Sequence, residues 1–234
     1  LIHKRRFLTV FFYFCTLIID FSKMKKTAVL TVLFVLPIVC YLFFSSGING
    51  FSTLPTLTPK VPDMKVWQSL RNDTISLNNK ITILGFGGEQ LLAERENLFN
   101  LNLKIYGRYH AFEDLQFVIL CPIGTEKEAK HIVDNFSTLV DVTQWNFVFA
   151  SKDEIINFHK ELKLKKPLDQ FAGTPEVFIL DKERNLRGRK HDDPNEYKEG
   201  YDTSSVSELS NEMLDDFKII LYEYRAALKK NRKI

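Results

Sequence analysis

From residue 64 onward the chain alternates short apolar runs with amphipathic stretches. Ile81–Phe86 (ITILGF), Leu115–Cys121 (LQFVILC) and Asn146–Ala150 (NFVFA) are nearly unbroken apolar runs, as expected of strands buried on both faces. Helical periodicity follows the first two, through Leu92, Leu98, Ile105 and Tyr109 and then Ala129, Ile132, Val133 and Phe136; KDEIINFHKEL follows the third. Thr125/Glu128, Ser151/Glu154 and Ser205/Glu208 have the spacing of capping boxes and mark three helix starts. EVFIL and LRGR around DKERN predict an antiparallel hairpin, and KVWQSL and TISL around RND predict another at the domain's start. The last helix places Val206, Leu209, Met213, Phe217, Ile220, Tyr224 and Leu228 on one face. Its basic end, KKNRKI, suits a helix C-terminus. This order implies an α/β fold. Strands joined through a helix pair in parallel, the terminal hairpin adds antiparallel strands, and helices flank the mixed sheet.

Ahead of residue 64 the pattern changes. Thr27 to Ile48 carries no charge, and about 20 such residues suffice to span a bilayer's hydrocarbon. Lys23, Lys25 and Lys26 precede it, which predicts a cytoplasmic N-terminal side and a domain across the membrane. A cleaved signal peptide fits less well, because the run is long for that role and no A-x-A-like site follows. The expected organisation is a transmembrane anchor over 24–48, an extended Pro/Ser/Thr-rich linker over 49–63 and the α/β domain over 64–234. The expected location is the bacterial cytoplasmic membrane, single-pass, with the domain in the periplasm. A second apolar run, Phe7–Phe21, lies behind HKRR. Because MKK at Met24 has the form of a translation start, residues 1–23 are expected to be an upstream extension, the alternative being an extra apolar segment paired with the anchor across SKMKK.

The 32 basic and 29 acidic residues nearly balance, and no basic stripe points to nucleic acid. Cys15, Cys40 and Cys121 contain no CxxC or CxxxC, which excludes a disulfide framework. His3, His110, His131, His159 and His191 are not paired at metal-ligand spacing. His131 and His159 are expected at helix surfaces or boundaries, and His191, beside Asp192 and Asp193, in a solvated charged loop. Gly85, Gly87 and Gly88 follow a strand, but Gln90 stands where G-x-G-x-x-G needs its third glycine, and no nucleotide cofactor is expected.

ITILGFGGEQLLAERENLF, Ile81 to Phe99, reads as strand, turn and helix, and reactive groups often sit on such turns. Here the turn offers Gly87, Gly88, Glu89 and Gln90, without cysteine, serine or histidine. Its N–H groups, at a predicted helix N-terminus, suit an anion or carboxylate. Cys121 has two readings: a core thiol, or a redox thiol, which needs exposure and a lowered pKa.

With AGTPEVFILDKERNLRGR at Ala172–Arg189, this order resembles the thioredoxin-like superfamily. Within it the chain is most similar to the Sco/SenC group of membrane-anchored respiratory assembly proteins, over Asp63 to Arg189. The stretch from Gly200 looks like the terminal helix of Sco-like proteins from bacteroidete-type bacteria. The resemblance implies a thioredoxin-like sheet with an N-terminal hairpin and a long C-terminal helix. It also implies a cis Thr174–Pro175 bond facing the Gly87–Gln90 turn.

Working members of that group hold copper through a CxxxC on the first strand–helix turn and a histidine from the loop before the later hairpin. Here GFGGEQLLAER has no cysteine and KKPLDQFAGTP no histidine. Cu(I) favours thiolate or thioether, so Glu89, Gln90 and Asp169 are poor substitutes, and thiol exchange lacks its thiolate. The resemblance therefore implies a divergent, non-catalytic member with no metal or other cofactor, an accessory in cytochrome oxidase assembly. Its partner would be an envelope or membrane protein, held on the old site face: Gly87, Gly88, Glu89, Gln90, Thr174 and Pro175, with Trp67 and Phe171 alongside. An envelope thiol oxidoreductase or peroxidase using Cys121 is the competing reading.

Overall fold

The computed structural model describes residues 26–45, 53–64, 67–139, 141–190 and 196–231, with backbone alone at 26–28, 42–45 and 226–231. The chain divides into two units, at residues 50 and 51.

In the first unit, α1 (Lys26–Ser45) is a 20-residue helix with Pro37 inside it. Leu30, Leu33, Phe34 and Ile38 are exposed on it. Among the described residues no helix is long and apolar enough to cross a membrane. The side chains of α1 are described over 29–41 alone, a stretch shorter than the roughly 20 residues a span needs. Residues 1–23 lie outside the described residues.

The second unit is built on an eight-stranded mixed sheet. Its central strands are the predicted apolar runs β3 (Ile81–Gly87), β4 (Leu115–Pro122) and β5 (Trp145–Ala150), all parallel. β6 (Gly173–Leu180) lies antiparallel to β3, and β7 (Leu186–Arg187) turns back along it as the expected hairpin. The order β4-β3-β6-β7, with a helical crossover before β4, is the thioredoxin-like arrangement. β8 (Arg189–Lys190) and β9 (Tyr197–Lys198) form a separate pair, and β10 (Tyr201–Asp202) adds to the first half of β6. His191 lies outside the described residues.

The N-terminal segments differ from expectation. β1 (Thr56–Thr58), placed in the linker by composition, pairs antiparallel with β7 at one edge. Leu54 and Val61 beside it are buried, so the folded domain includes this stretch. The predicted first hairpin does not form. β2 (Gln68–Ser69) instead pairs with β5 at the far edge, Gln68 opposite Phe149. TISL stays irregular because one carboxylate satisfies it: Asp63 accepts from Leu77 N–H, the Ser76 hydroxyl and the Asn78 amide at 2.6–2.7 Å.

Side chains alternate across the strands, giving two cores. On one face Ile83, Phe117, Ile119, Trp145 and Phe147 pack with three helical elements. α2 comprises Arg95–Leu101 and Gly107–Tyr109 around a π turn at Asn102–Tyr106, and α3 is Glu126–Ser137. α5 comprises Val206–Glu208, a π turn at Leu209–Met213 and Leu214–Asn231. On the predicted stripe of α5, Leu209, Met213, Phe217 and Ile220 are buried, whereas Val206 is exposed. On the other face Leu84, Phe86, Val118, Leu120 and Val148 meet Ile155 and Phe158 of α4 (Lys152–Glu161) and Val61, Trp67 and Leu77 of the N-terminal segment.

The capping boxes split three ways. Ser151 and Glu154 form a complete one. Ser205 accepts from Glu208 N–H, but the Glu208 carboxylate takes Asp202 N–H and Lys198. Thr125 caps nothing with its side chain: its hydroxyl donates to the Pro122 carbonyl, and Glu128 accepts from Leu92 N–H.

Candidate functional site

β3 runs straight into the turn, and the turn is possible only with glycine. A Cβ on Gly87 would stand 2.6 Å from Leu91 Cδ1 and 3.0 Å from Cys121 Sγ. Gly88 has φ +64°, and a Cβ there would lie 2.9 Å from Gly173 Cα. β6 enters beside them, Gly173 opposite Gly87 and Thr174 opposite Phe86. The sequence therefore identified the right juxtaposition, but not its isomer: the Thr174–Pro175 bond is trans. Thr174 pairs with Phe86, and the Pro175 carbonyl accepts the N–H and hydroxyl of Thr203 at 2.9 and 2.6 Å.

The turn is stitched to the 169–173 loop. Glu89 N–H donates to the Phe171 carbonyl at 2.9 Å. Asp169 Oδ1 accepts from Phe171 and Gly173 N–H at 2.9 and 2.7 Å, shaping a loop in which Ala172 takes φ +59°. Lys152, at the start of α4, binds the Glu89 carboxylate at 3.1 Å and the Gln170 carbonyl at 2.7 Å.

The expected anion position at a helix N-terminus is not there. α2 begins at Arg95, after a series of i→i−3 bonds in which Ala93, Glu94 and Arg95 donate to Gln90, Leu91 and Leu92. Leu92 N–H is taken by the chain's own Glu128 carboxylate, 3.2 Å away.

Of the predicted residues, Gly87, Gly88 and Thr174 come together where β3 ends against β6; Glu89 and Gln90 follow in the turn, and Pro175 is next along β6. Glu89, Gln90 and Pro175 are exposed, Thr174 is half-buried, and Gly87 and Gly88 form the buried floor. Phe171 is half-buried at the same rim. Trp67 does not belong to this face. It is buried in the second core, edge-on to Phe158 at 5.7 Å, its indole N–H donating to Glu154 at 3.3 Å.

Cys121 lies directly beneath Gly87, fully buried at the end of β4. Burial pushes its thiol well above the ordinary value, and the carboxylates of Glu128 and Glu126 push the same way. That is the opposite of a reactive thiol's environment. The turn's donor set does not fit copper either. Glu89 is ion-paired, Asp169 is engaged by backbone N–H groups, and the thiol is sealed below the floor. Among the described residues no three His, Cys, Asp or Glu side chains are grouped to hold a metal ion.

Sequence reasoning misplaced His159. It is 7% exposed, edge-on to Phe86 at 5.1 Å, and burial lowers its pKa. The available signal was its position four residues after Ile155 and three before Leu162, on the buried side of α4.

No family model and no curated protein matches the chain. It is similar to solved structures. A member of the Sco family of cytochrome c oxidase assembly proteins matches with TM-score 0.48 and 12% identity, over 72% of this chain and 97% of that one. The soluble domain of Sco1 from Bacillus subtilis matches with TM-score 0.41 and 13% identity, over 57% and 83%. The thioredoxin domain of a thiol-disulfide oxidoreductase from Bacteroides vulgatus matches with TM-score 0.39 and 17% identity, over 61% and 94%. Identities this low concern chain path alone; the thioredoxin-like assignment rests on the strand pairings.

Proposed function

We propose that this chain is a divergent Sco/SenC-like protein, held by α1 in the cytoplasmic membrane with its domain in the periplasm, and that it assists respiratory-complex assembly by binding a protein partner. One observation carries the reading: the strand-end turn survives in place against β6, while its groups are tied to one another instead of being left for chemistry. Glu89 is held by Lys152 and the Phe171 carbonyl, and the nearby thiol is buried. What remains for a partner is a firm surface of Glu89, Gln90, Phe171 and Pro175. The competing oxidoreductase or peroxidase reading through Cys121 is opposed by that residue's burial and raised pKa.

Affinity capture of the full chain from crosslinked native membranes tests the proposal. Oxidase subunits or their assembly intermediates are expected with the wild type and are lost with a Gln90→Lys/Pro175→Lys double variant. Equal recovery with both proteins, or none with either, overturns it.

A further inference from the structure

Behind the turn, on the sheet face covered by α4, an open groove of about 510 Å³ runs between the second half of α4 and the 164–169 loop. That is within the range of small-molecule sites, about 300–1,000 Å³. Ile156, Leu164, Pro167 and Leu168 line it with apolar surface, and Lys160 and Lys165 bring positive charge. Asp169 lines it too, but its Oδ1 already accepts two backbone N–H groups. The Glu199 carboxylate nearby accepts the backbone N–H of Lys165 at 2.8 Å. Neither lysine ammonium has a carboxylate partner among the described residues.

His159 is the independent observation. The residue is 7% exposed and lines the groove, and its ring nitrogens, which are not sealed from solvent, have no hydrogen-bond partner among the described residues. A neutral imidazole carries one donor and one acceptor, and both are open to the groove. The His159 ring and the Lys160 and Lys165 side chains thus line one groove with no carboxylate partner among the described residues.

We propose that this groove binds a small carboxylate with an apolar aryl or alkyl body. The carboxylate takes the charge of Lys160 and Lys165 and the imidazole N–H of His159, and the body lies on Ile156, Leu164 and Leu168. The site stands on the groove alone and is independent of the respiratory reading.

Calorimetric titration of the full chain in detergent micelles tests it, with 4-phenylbutyrate and its neutral amide as probes. The acid is expected to bind saturably and the amide about tenfold more weakly, or less, a difference of about 1.4 kcal/mol. A Lys160→Gln/Lys165→Gln variant binds both alike, His159→Phe weakens the acid, and Leu168→Trp, which fills the groove, binds neither. Thermal melts verify the fold of each variant. No saturable binding by the wild type, equal binding of acid and amide, or undiminished binding by folded Leu168→Trp overturns the proposal.

Discussion

Gly88 and Gly173 meet backbone to backbone: a Cβ on Gly88 would come within 2.9 Å of Gly173 Cα and 3.0 Å of its nitrogen. Strand-end turn and β6 entry are therefore one packed unit.

Gly88→Ala is expected to cost about 2–4 kcal/mol, from the left-handed backbone plus a clash that no side-chain motion relieves. Gly107→Ala is the control. Gly107 is helical and exposed, with only Asn102 O near a new Cβ at 3.5 Å, so about 0.5–1 kcal/mol of stabilisation is expected. Urea unfolding of the two variants measures both.

Asp63 sets the acid limb of stability. Burial raises its pKa, but hydrogen bonds from Leu77 N–H, the Ser76 hydroxyl and Met64 N–H, with the charge of Arg184, outweigh it and hold the carboxyl below 3.8. A carboxylate depressed in the folded state contributes stability that is complete above its unfolded pKa and lost as pH falls through the folded one. Asp63→Asn should unfold more readily at pH 6, and the gap from wild type should narrow below about pH 4. A constant gap across denaturation curves at pH 2.5, 4 and 6 contradicts this.

Cys121 governs the alkaline side in the opposite sense. Its thiol stays protonated when folded but ionises in the unfolded chain near 9.0, so stability falls as pH rises through that value. Cys121→Ser should reduce the slope between about pH 8.5 and 10. Peptide mapping after iodoacetamide treatment should find Cys121 unmodified in the native protein and labelled in urea; labelling at equal rates rejects the buried-thiol account.

Asp216 anchors α5 to the rest of the domain. It is 2% exposed, accepts two bonds from Arg189 at 2.8 and 3.0 Å, and takes the Tyr201 hydroxyl at 2.6 Å. Asp216→Ala strands a half-buried guanidinium and should cost about 3–5 kcal/mol. Tyr201→Phe keeps the ion pair and should cost about 1–2 kcal/mol. Similar losses in the two unfolding curves would deny the ion pair its role.

The central sheet was legible because β3, β4 and β5 are apolar enough to declare burial on both faces, and the β6–β7 hairpin because its partners are neighbours in sequence. β1 was hidden: TLT is three residues long, flanked by prolines, and finds its partner near residue 187. β2 misled for the same reason, its neighbour in sequence not being its neighbour in the sheet. Of two similar capping motifs, Ser151 obeyed because Glu154 serves the box with one oxygen and Trp67 with the other, whereas Thr125 was diverted by the Pro122 carbonyl. At the site, the residues that meet were readable from the strand-and-turn pattern. Their mutual ties were not, since Lys152 reaches Glu89 only after α4 has docked.

β1 and β2 close opposite margins of the sheet, although only residues 59–67 separate them in the chain. This clasp precedes every other strand of the sheet in the chain, and its docking sites on β5 and β7 are made later. Each flank can therefore close only once its partner strand has been made, β2 on β5 before β1 on β7. A chain trimmed of the clasp would keep those flanks open to other strands, self-association being its natural fate.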